Sequence, residues 1–332
     1  MIPVAWCCCD HQPPDTCVRV PDRVPRKLRL DAMCGRGAFA EVYDGWLYHG
    51  DADPQHVAIK LLLPQYVLSD DATRRLIAEA WVLRELKHPA FIQLVDTFHV
   101  QRRFAMITEF IAGIDIGDLP LMPEKAAWEI VAQVASALAL ACDPGTVFVH
   151  QDIKPANLRL SEVGTVHIFD VGLAVVDGSG PGASVGCIAG TPGYMSPERW
   201  HGNPPDPSGD VYAMGNILYL LLSGSHLVQK PGRKLREQLV KSRTIFQSWV
   251  NIRLDQASRP FAPHARELLE RCCAYSPEDR VSMPDLAELC DQYGEAAEGP
   301  SLEEWCADQS WDEEPDSVGF MLLEEDIERP DD

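Results

Sequence analysis

Residues 150–157 read His-Gln-Asp-Ile-Lys-Pro-Ala-Asn, a string that sets a carboxylate, an ammonium and a carboxamide within six positions of one another. Asp152 could accept a proton from a hydroxyl, Lys154 could offset charge on a transferring phosphoryl group, and Asn157 could lend an oxygen to a metal ion beside them. A short string of this kind is weak evidence by itself. Phosphoryl transfer also needs groups that hold the phosphates and a further carboxylate for metal, and these must come from elsewhere in the chain.

They occur in order. Gly35-Arg36-Gly37-Ala38-Phe39-Ala40-Glu41-Val42-Tyr43 lies between two apolar stretches that read as strands. Glycines there let backbone N–H groups approach phosphates, although many hairpins carry Gly-x-Gly for conformational reasons alone. Val57-Ala58-Ile59-Lys60 is an alternating strand ending in a cation, and Glu79 follows 19 residues later in a helical run. A lone strand lysine is usually a solvated edge charge. Downstream come Ile168-Phe169-Asp170-Val171-Gly172, then Gly190-Thr191-Pro192-Gly193-Tyr194-Met195-Ser196-Pro197-Glu198, then Asp210-Val211-Tyr212-Ala213-Met214-Gly215, and finally Arg280.

Together these segments resemble the eukaryotic-type (Hanks-type) serine/threonine protein kinase family, from the glycine turn at 35 to Arg280. The resemblance implies an ATP-dependent phosphotransferase acting on Ser/Thr hydroxyls of protein substrates, with Mg²⁺ or Mn²⁺ as the metal. Asp152 would be the base and Lys154 the transition-state cation, with Lys60, held by Glu79, on the α- and β-phosphates. Asn157 and Asp170 would be the metal ligands. Gly35, Gly37, Val42 and Ala58 would line the nucleotide site, Glu109 and Ile111 would offer hinge backbone to the base, and Asp115 would meet the ribose. Thr191 would bond toward Asp152 and Lys154, and Arg280 would pair with Glu198. The alternative is a catalytically silent scaffold of the same fold, but scaffolds typically lose the lysine, the loop aspartate or the metal aspartate, and Lys60, Asp152 and Asp170 are all present.

The elements that must position these groups are legible by period. Leu76, Ala80 and Leu83 recur at helical spacing with Glu79 on the same side, so Glu79 should face Lys60. Ala127, Val131, Val134, Leu138 and Ala141 form a second helical stripe, to pack beneath the catalytic string. The expected class is α+β in two lobes. A small lobe of five strands and one helix spans 28–108, a hinge 109–114, and a mainly helical large lobe 115–294.

The chain has 332 residues, 46% of them hydrophobic, enough for one such domain plus tails. No apolar run approaches the roughly 20 residues needed to span a bilayer, and the start lacks a secretory pattern. The 11 cysteines are scattered and read as small buried hydrophobes in a reducing, cytoplasmic setting. Net charge is −21, which leaves no general footprint for nucleic acid.

Residues 1–27, rich in Pro and Cys, read as an extended tail. Cys7, Cys8 and Cys9, near Arg19, Arg23, Arg26, Lys27 and Arg29, are candidates for acylation, but Ile2 leaves no myristoylation signal to be the second anchor. From Glu295 to Asp332 there are 15 acids and one base. That stretch is expected to be a disordered tail that either recruits a partner or docks on the basic run at 230–243, itself readable as a solvated helix face. Four departures from the family pattern stand out. Gln151 replaces the arginine that pairs with a phosphorylated activation loop, Ala40 replaces a third glycine, and Arg159 stands where an apolar residue floors the adenine. Val171 replaces an aromatic in an internal stack with Leu83, Leu94 and His150, expected to loosen it by about 1 kcal/mol.

Overall fold

The computed structural model describes residues 27–49, 52–180, 182, 190–228, 233–311, 320–323 and 327–328. Cys7, Cys8, Cys9, Lys230 and Ser184, a serine of the segment between Asp170 and Glu198, lie outside them. The chain opens with strands β1 (Lys27–Arg36), β2 (Ala40–Tyr48) and β3 (Gln55–Leu62), then helix α1 (Asp70–Glu85), then β4 (Leu94–Val100) and β5 (Arg103–Glu109). All pair antiparallel, in the order β1-β2-β3-β5-β4. Alternation along the strands gives each face its own core. Val57, Ile59 and Leu61 join Leu28, Leu47, Phe98, Val100, Ala105 and Ile107 in one cluster. Leu62, Phe104 and Met106 pack with Leu76, Ala80 and Leu83 in the main core. Ser69 caps α1 by accepting from Ala72 N at 3.3 Å, and Asp70 and Asp71 in its first turn suit the helix dipole.

The rest is mainly helical. The short strands β6 (Ile114–Asp115), β7 (Phe148–Val149), β8 (Leu158–Leu160), β9 (Val166–Ile168) and β10 (Val175–Val176) intersperse with α2 (Glu124–Ala139). Then follow α3 (Pro197–Trp200), α4 (Pro207–Ser223), α5 (Arg233–Lys241), α6 (Arg243–Asp255), α7 (Pro263–Cys272) and α8 (Met283–Ala296). The stripe from Ala127 to Ala141 is buried throughout, and α2 packs against α8 and α4. α4 is apolar all round and buried from Asp210 to Tyr219, which makes it the axis of this lobe. The string 150–157 is therefore a loop pinned by β7 before it and β8 after it. No helix among the described residues is long and apolar enough to cross a membrane.

The acidic stretch after 294 departs from expectation. A helix α9 (Leu302–Ala307) docks on the large lobe with Leu302, Trp305 and Cys306 buried. Ser301 and Glu304 form a complete capping box, and Glu129 of α2 accepts from Leu302 N at 2.5 Å. Apolar residues at helical spacing outweigh the surrounding charge, which the neighbouring acids keep in solvent. Two further strands, β11 (Phe320–Leu323) and β12 (Ile327–Glu328), join the small-lobe sheet. The described parts of the tail thus lie on α2 and on the sheet, whereas α5 packs against α6 and α3. Truncating Trp305 to Ala is expected to lower stability by about 3 kcal/mol, because a buried aromatic leaves a cavity. Urea unfolding followed by circular dichroism would read this.

Candidate active site

The first constellation sits where β3, α1 and the segment after β9 converge. Lys60 Nζ donates to Glu79 Oε1 at 2.6 Å and Oε2 at 2.8 Å, and to Asp170 Oδ1 at 3.4 Å. Burial alone would lower the Lys60 pKa, but the Glu79 and Asp170 carboxylates outweigh it and hold the ammonium raised, so it stays charged. Lys60 in turn holds the Asp170 carboxyl below the usual carboxylate range. Asp170 has a left-handed φ of 55°, a strained conformation for a side-chain-bearing residue that aims its carboxylate back at Lys60.

The second constellation is the loop itself. Asp152 is buried; its Oδ1 accepts from Thr191 N and Thr191 Oγ1, both at 2.8 Å, and its Oδ2 accepts from Lys154 Nζ at 2.6 Å. Lys154 Nζ also reaches Thr191 Oγ1 at 3.1 Å, closing a triangle of carboxylate, ammonium and hydroxyl. Asn157 Nδ2 donates to Asp152 O at 2.9 Å, which spends its amino end and leaves its carbonyl oxygen as the acceptor. Beneath, Asp210 of α4 accepts from His150 N at 2.6 Å and Gln151 N at 2.9 Å, and burial pushes its carboxyl up to about 7. Burial lowers the His150 pKa, and the neutral ring fits its contacts: Nδ1 accepts from Asp152 N at 3.3 Å while Nε2 donates to Phe169 O at 3.2 Å. One imidazole thus links Asp152 to the residue before Asp170.

The glycine turn and the hinge complete the cleft. Gly37 N donates to Ala40 O at 2.8 Å across the tip, and the space around Gly35 is open. Phe39 at the tip packs edge-on against Tyr66 with Arg75 of α1 over its ring, so turn and helix are coupled. Val42 pairs with Lys60, and Ala58 with Thr108. Glu109 ends β5, donating its N–H to Gln93 O at 3.0 Å. Beyond the hinge, Gly113 has φ +148° and an added Cβ would lie 2.2 Å from Leu160 O, so only glycine lets this turn press on β8.

Three features escaped the sequence reading in detail. Arg159 Nε donates to Asp115 Oδ1 at 2.8 Å and Nη1 to Ile111 O at 3.2 Å, so its charge is turned onto the hinge segment, with the guanidinium over the Phe169 ring. The cross-strand register Asp115↔Arg159 was the available signal, invisible until β6 and β8 are paired. Gln151, with φ 68°, donates through Nε2 to Leu173 O at 2.5 Å and Gly182 O at 3.3 Å, and accepts from Arg199 Nη2 at 2.9 Å. A neutral amide therefore ties both ends of the segment between Asp170 and Glu198. Val171, expected to loosen the stack, is fully buried in the core, as is His150, with Leu83 nearly so and Leu94 partly buried.

Farther on, Arg280 grips Glu198 with Nη1 and Nη2 at 2.7 Å each. Among the described residues no group of three His, Cys, Asp or Glu side chains could hold a metal unaided. Mg²⁺ needs only one or two ligands from a protein and takes its remaining oxygen ligands from elsewhere. The half-exposed Asp170 carboxylate and the free Asn157 carbonyl fit that division of labour.

Comparison with known proteins agrees with this geometry. Residues 28–290 match the model of the protein kinase domain. The chain is 31% identical over 204 residues to a probable serine/threonine-protein kinase PknB of Lactococcus lactis, an alignment covering 60% of this chain and 32% of that protein. It is 33% identical over 226 residues to serine/threonine-protein kinase pkn3 of Myxococcus xanthus, covering 64% of this chain and 40% of that protein. To serine/threonine-protein kinase 36 of Pongo abelii it is 29% identical over 265 residues, 78% of this chain and 19% of that protein. The chain thus spans less than half the length of each of these relatives. With its two-lobed architecture and the family model matched from 28 to 290, the chain belongs to the protein kinase family.

Proposed function

We propose that this chain transfers the γ-phosphoryl group of ATP to serine or threonine hydroxyls of protein substrates. The observation that carries the reading is the triangle of Asp152, Lys154 and Thr191: a carboxylate within a hydrogen bond of an ammonium, with the segment that receives substrate tied to both. Asp152 orients the acceptor hydroxyl and takes its proton, and Lys154 offsets charge on the transferring group. Lys60, fixed by Glu79, positions the α- and β-phosphates, and the backbone of the Gly35–Gly37 turn covers them. Asp170 and Asn157 would hold Mg²⁺, which would supply positive charge to offset that of the phosphates. Glu109 and Ile111 offer backbone to the base, Val42 and Ala58 line the pocket, and Asp115 and Arg159 together face the ribose side. Free cysteines, from exposed Cys34 to buried Cys290, favour a reducing compartment such as the cytoplasm. Labelled-phosphate transfer from Mg·ATP to generic protein substrates tests the reading: transfer to Ser or Thr is expected, and transfer to Tyr alone, or undiminished transfer by the Asp152→Asn protein, overturns it.

Regulation follows from Gln151. An amide already holds Leu173, Gly182 and Arg199, and it offers no charge to a phosphate on the segment. Turnover by phosphatase-treated protein is therefore expected to match that of untreated protein. A loss above about tenfold on treatment would show that a phosphate orders the segment after all.

A further inference from the structure

The small-lobe sheet is flanked on both sides by the C-terminal segment. β11 lies antiparallel to β1, with Lys27, Leu28, Arg29 and Leu30 opposite Leu323, Leu322, Met321 and Phe320. β12 lies antiparallel to β4, with Val100 and His99 opposite Ile327 and Glu328. In the seven-stranded order β11-β1-β2-β3-β5-β4-β12 these are opposite edges. Leu323 and Ile327 are four residue steps apart, which reach at most about 14 Å. One short segment can touch both edges only because the sheet curls until they approach. The inside of that curl is the apolar cluster of Leu28, Leu47, Val57, Ile59, Phe98 and their neighbours.

Without the segment, β1 and β4 would each present a row of unpaired N–H and C=O groups, and such edges recruit extended chains. Main-chain pairing accepts many sequences, and selectivity comes from side chains and charge. The occupant has four apolar residues, Phe320 to Leu323, then Glu324, Glu325 and Asp326, then Ile327 and Glu328, and the edge it meets first carries Lys27 and Arg29. Its chain is anchored upstream on the large lobe by α9, through buried Leu302, Trp305 and Cys306. Nine residue steps from Trp311 to Phe320 cover at most about 30 Å, so the segment is held near its site and never far from either lobe.

We propose that the paired edges of β1 and β4 form a docking site for an extended peptide, a short apolar run followed by acids, and that strands β11 and β12 are its exchangeable ligand in cis. A tethered ligand acts at an effective concentration in the millimolar range, so a free peptide of micromolar affinity is excluded until the tether's own copy is released. Release would open the small lobe to a partner segment of the same chemistry.

The experiment uses the full-length chain and a fluorescent synthetic peptide of residues 317–330. In the double variant Met321→Pro/Leu322→Pro one of two consecutive N–H groups that faces β1 is lost whichever it is, because proline has none. Hydrogen exchange at Leu28 and Leu30 is expected to quicken at least about tenfold in the variant, with the amides of α4 unchanged as the control for folding. The peptide should bind the variant saturably, at least about tenfold tighter than it binds the native chain, and restore that protection. Ile327→Pro repeats the test at the other edge, where whichever of the consecutive His99 and Val100 N–H groups faces β12 should lose protection alone. Unchanged exchange in both variants overturns the proposal. So does a variant whose edges stay protected because two copies pair with each other, or a peptide that binds native and variant chains alike. None of these readouts depends on phosphoryl transfer.

Discussion

Substituting Asn for Asp152 is expected to lower turnover by about 10²- to 10⁴-fold, the range for losing a positioned general base. Asn is nearly isosteric and keeps one carbonyl oxygen, so it retains an acceptor for Thr191 while losing the ability to take a proton. It also turns an amino group toward Lys154, in place of the Oδ2 that accepts from Nζ at 2.6 Å. That mismatch costs about 1–3 kcal/mol at a site with a solvent-facing cation, a moderate loss of stability compared with the kinetic effect. The Michaelis constant for ATP should hardly move, because Lys60 and Asp170, the side chains proposed to meet the nucleotide and its metal, do not bond to Asp152. Steady-state kinetics with a thermal melt separates the two effects. A fall in turnover below tenfold in a folded variant would remove Asp152 from the chemistry.

Much of this site was legible because catalytic loops leave few choices. Asp152, Lys154 and Asn157 lie within one string, and the resemblance implied the pairing of Lys60 with Glu79, while the helical spacing of Leu76, Ala80 and Leu83 turned Glu79 inward to meet it. The small lobe was legible for the same reason: alternation over Val57–Leu61 and the 3.6-residue spacing from Leu76 to Leu83 each point one face inward. What lay beyond reading depends on pairing across distance. Arg159 meets Asp115 only once β8 and β6 are in register, and Gln151 meets Arg199 across 48 residues. The C-terminal stretch misled for a different reason. Its 15 acids dominate any average over the segment, yet three apolar side chains on one turn of α9 and a capping box suffice to dock it. Local composition measures the mean, and docking needs only one good face.

The largest expected loss of stability comes from Arg280→Met. The Arg280 side chain has no exposed surface, and Glu198, its partner at 2.7 Å, is itself buried. Arg280 also donates to Ala274 O at 2.9 Å, Ser208 O at 2.9 Å and Tyr275 O at 3.1 Å, and lies over the Tyr212 ring. Methionine matches much of its volume, so packing is largely kept; what is lost is the partner of a buried carboxylate and the donors to three carbonyls. Removing one member of a buried pair costs about 3–5 kcal/mol, since the other charge is left without water or counter-ion. Glu198→Gln added to Arg280→Met should recover part of that loss, because a neutral amide avoids the uncompensated charge even though the carbonyls stay unpaired. Urea titrations of the two single variants and the double would show a coupling well above 1 kcal/mol. Because Glu198 ends the segment that begins at Asp170 and carries Thr191, the single variant should also lose activity, with turnover falling more than the affinity for ATP. Additive stabilities in the cycle would mean that Arg280 acts through its carbonyl contacts and that its pairing with Glu198 contributes little.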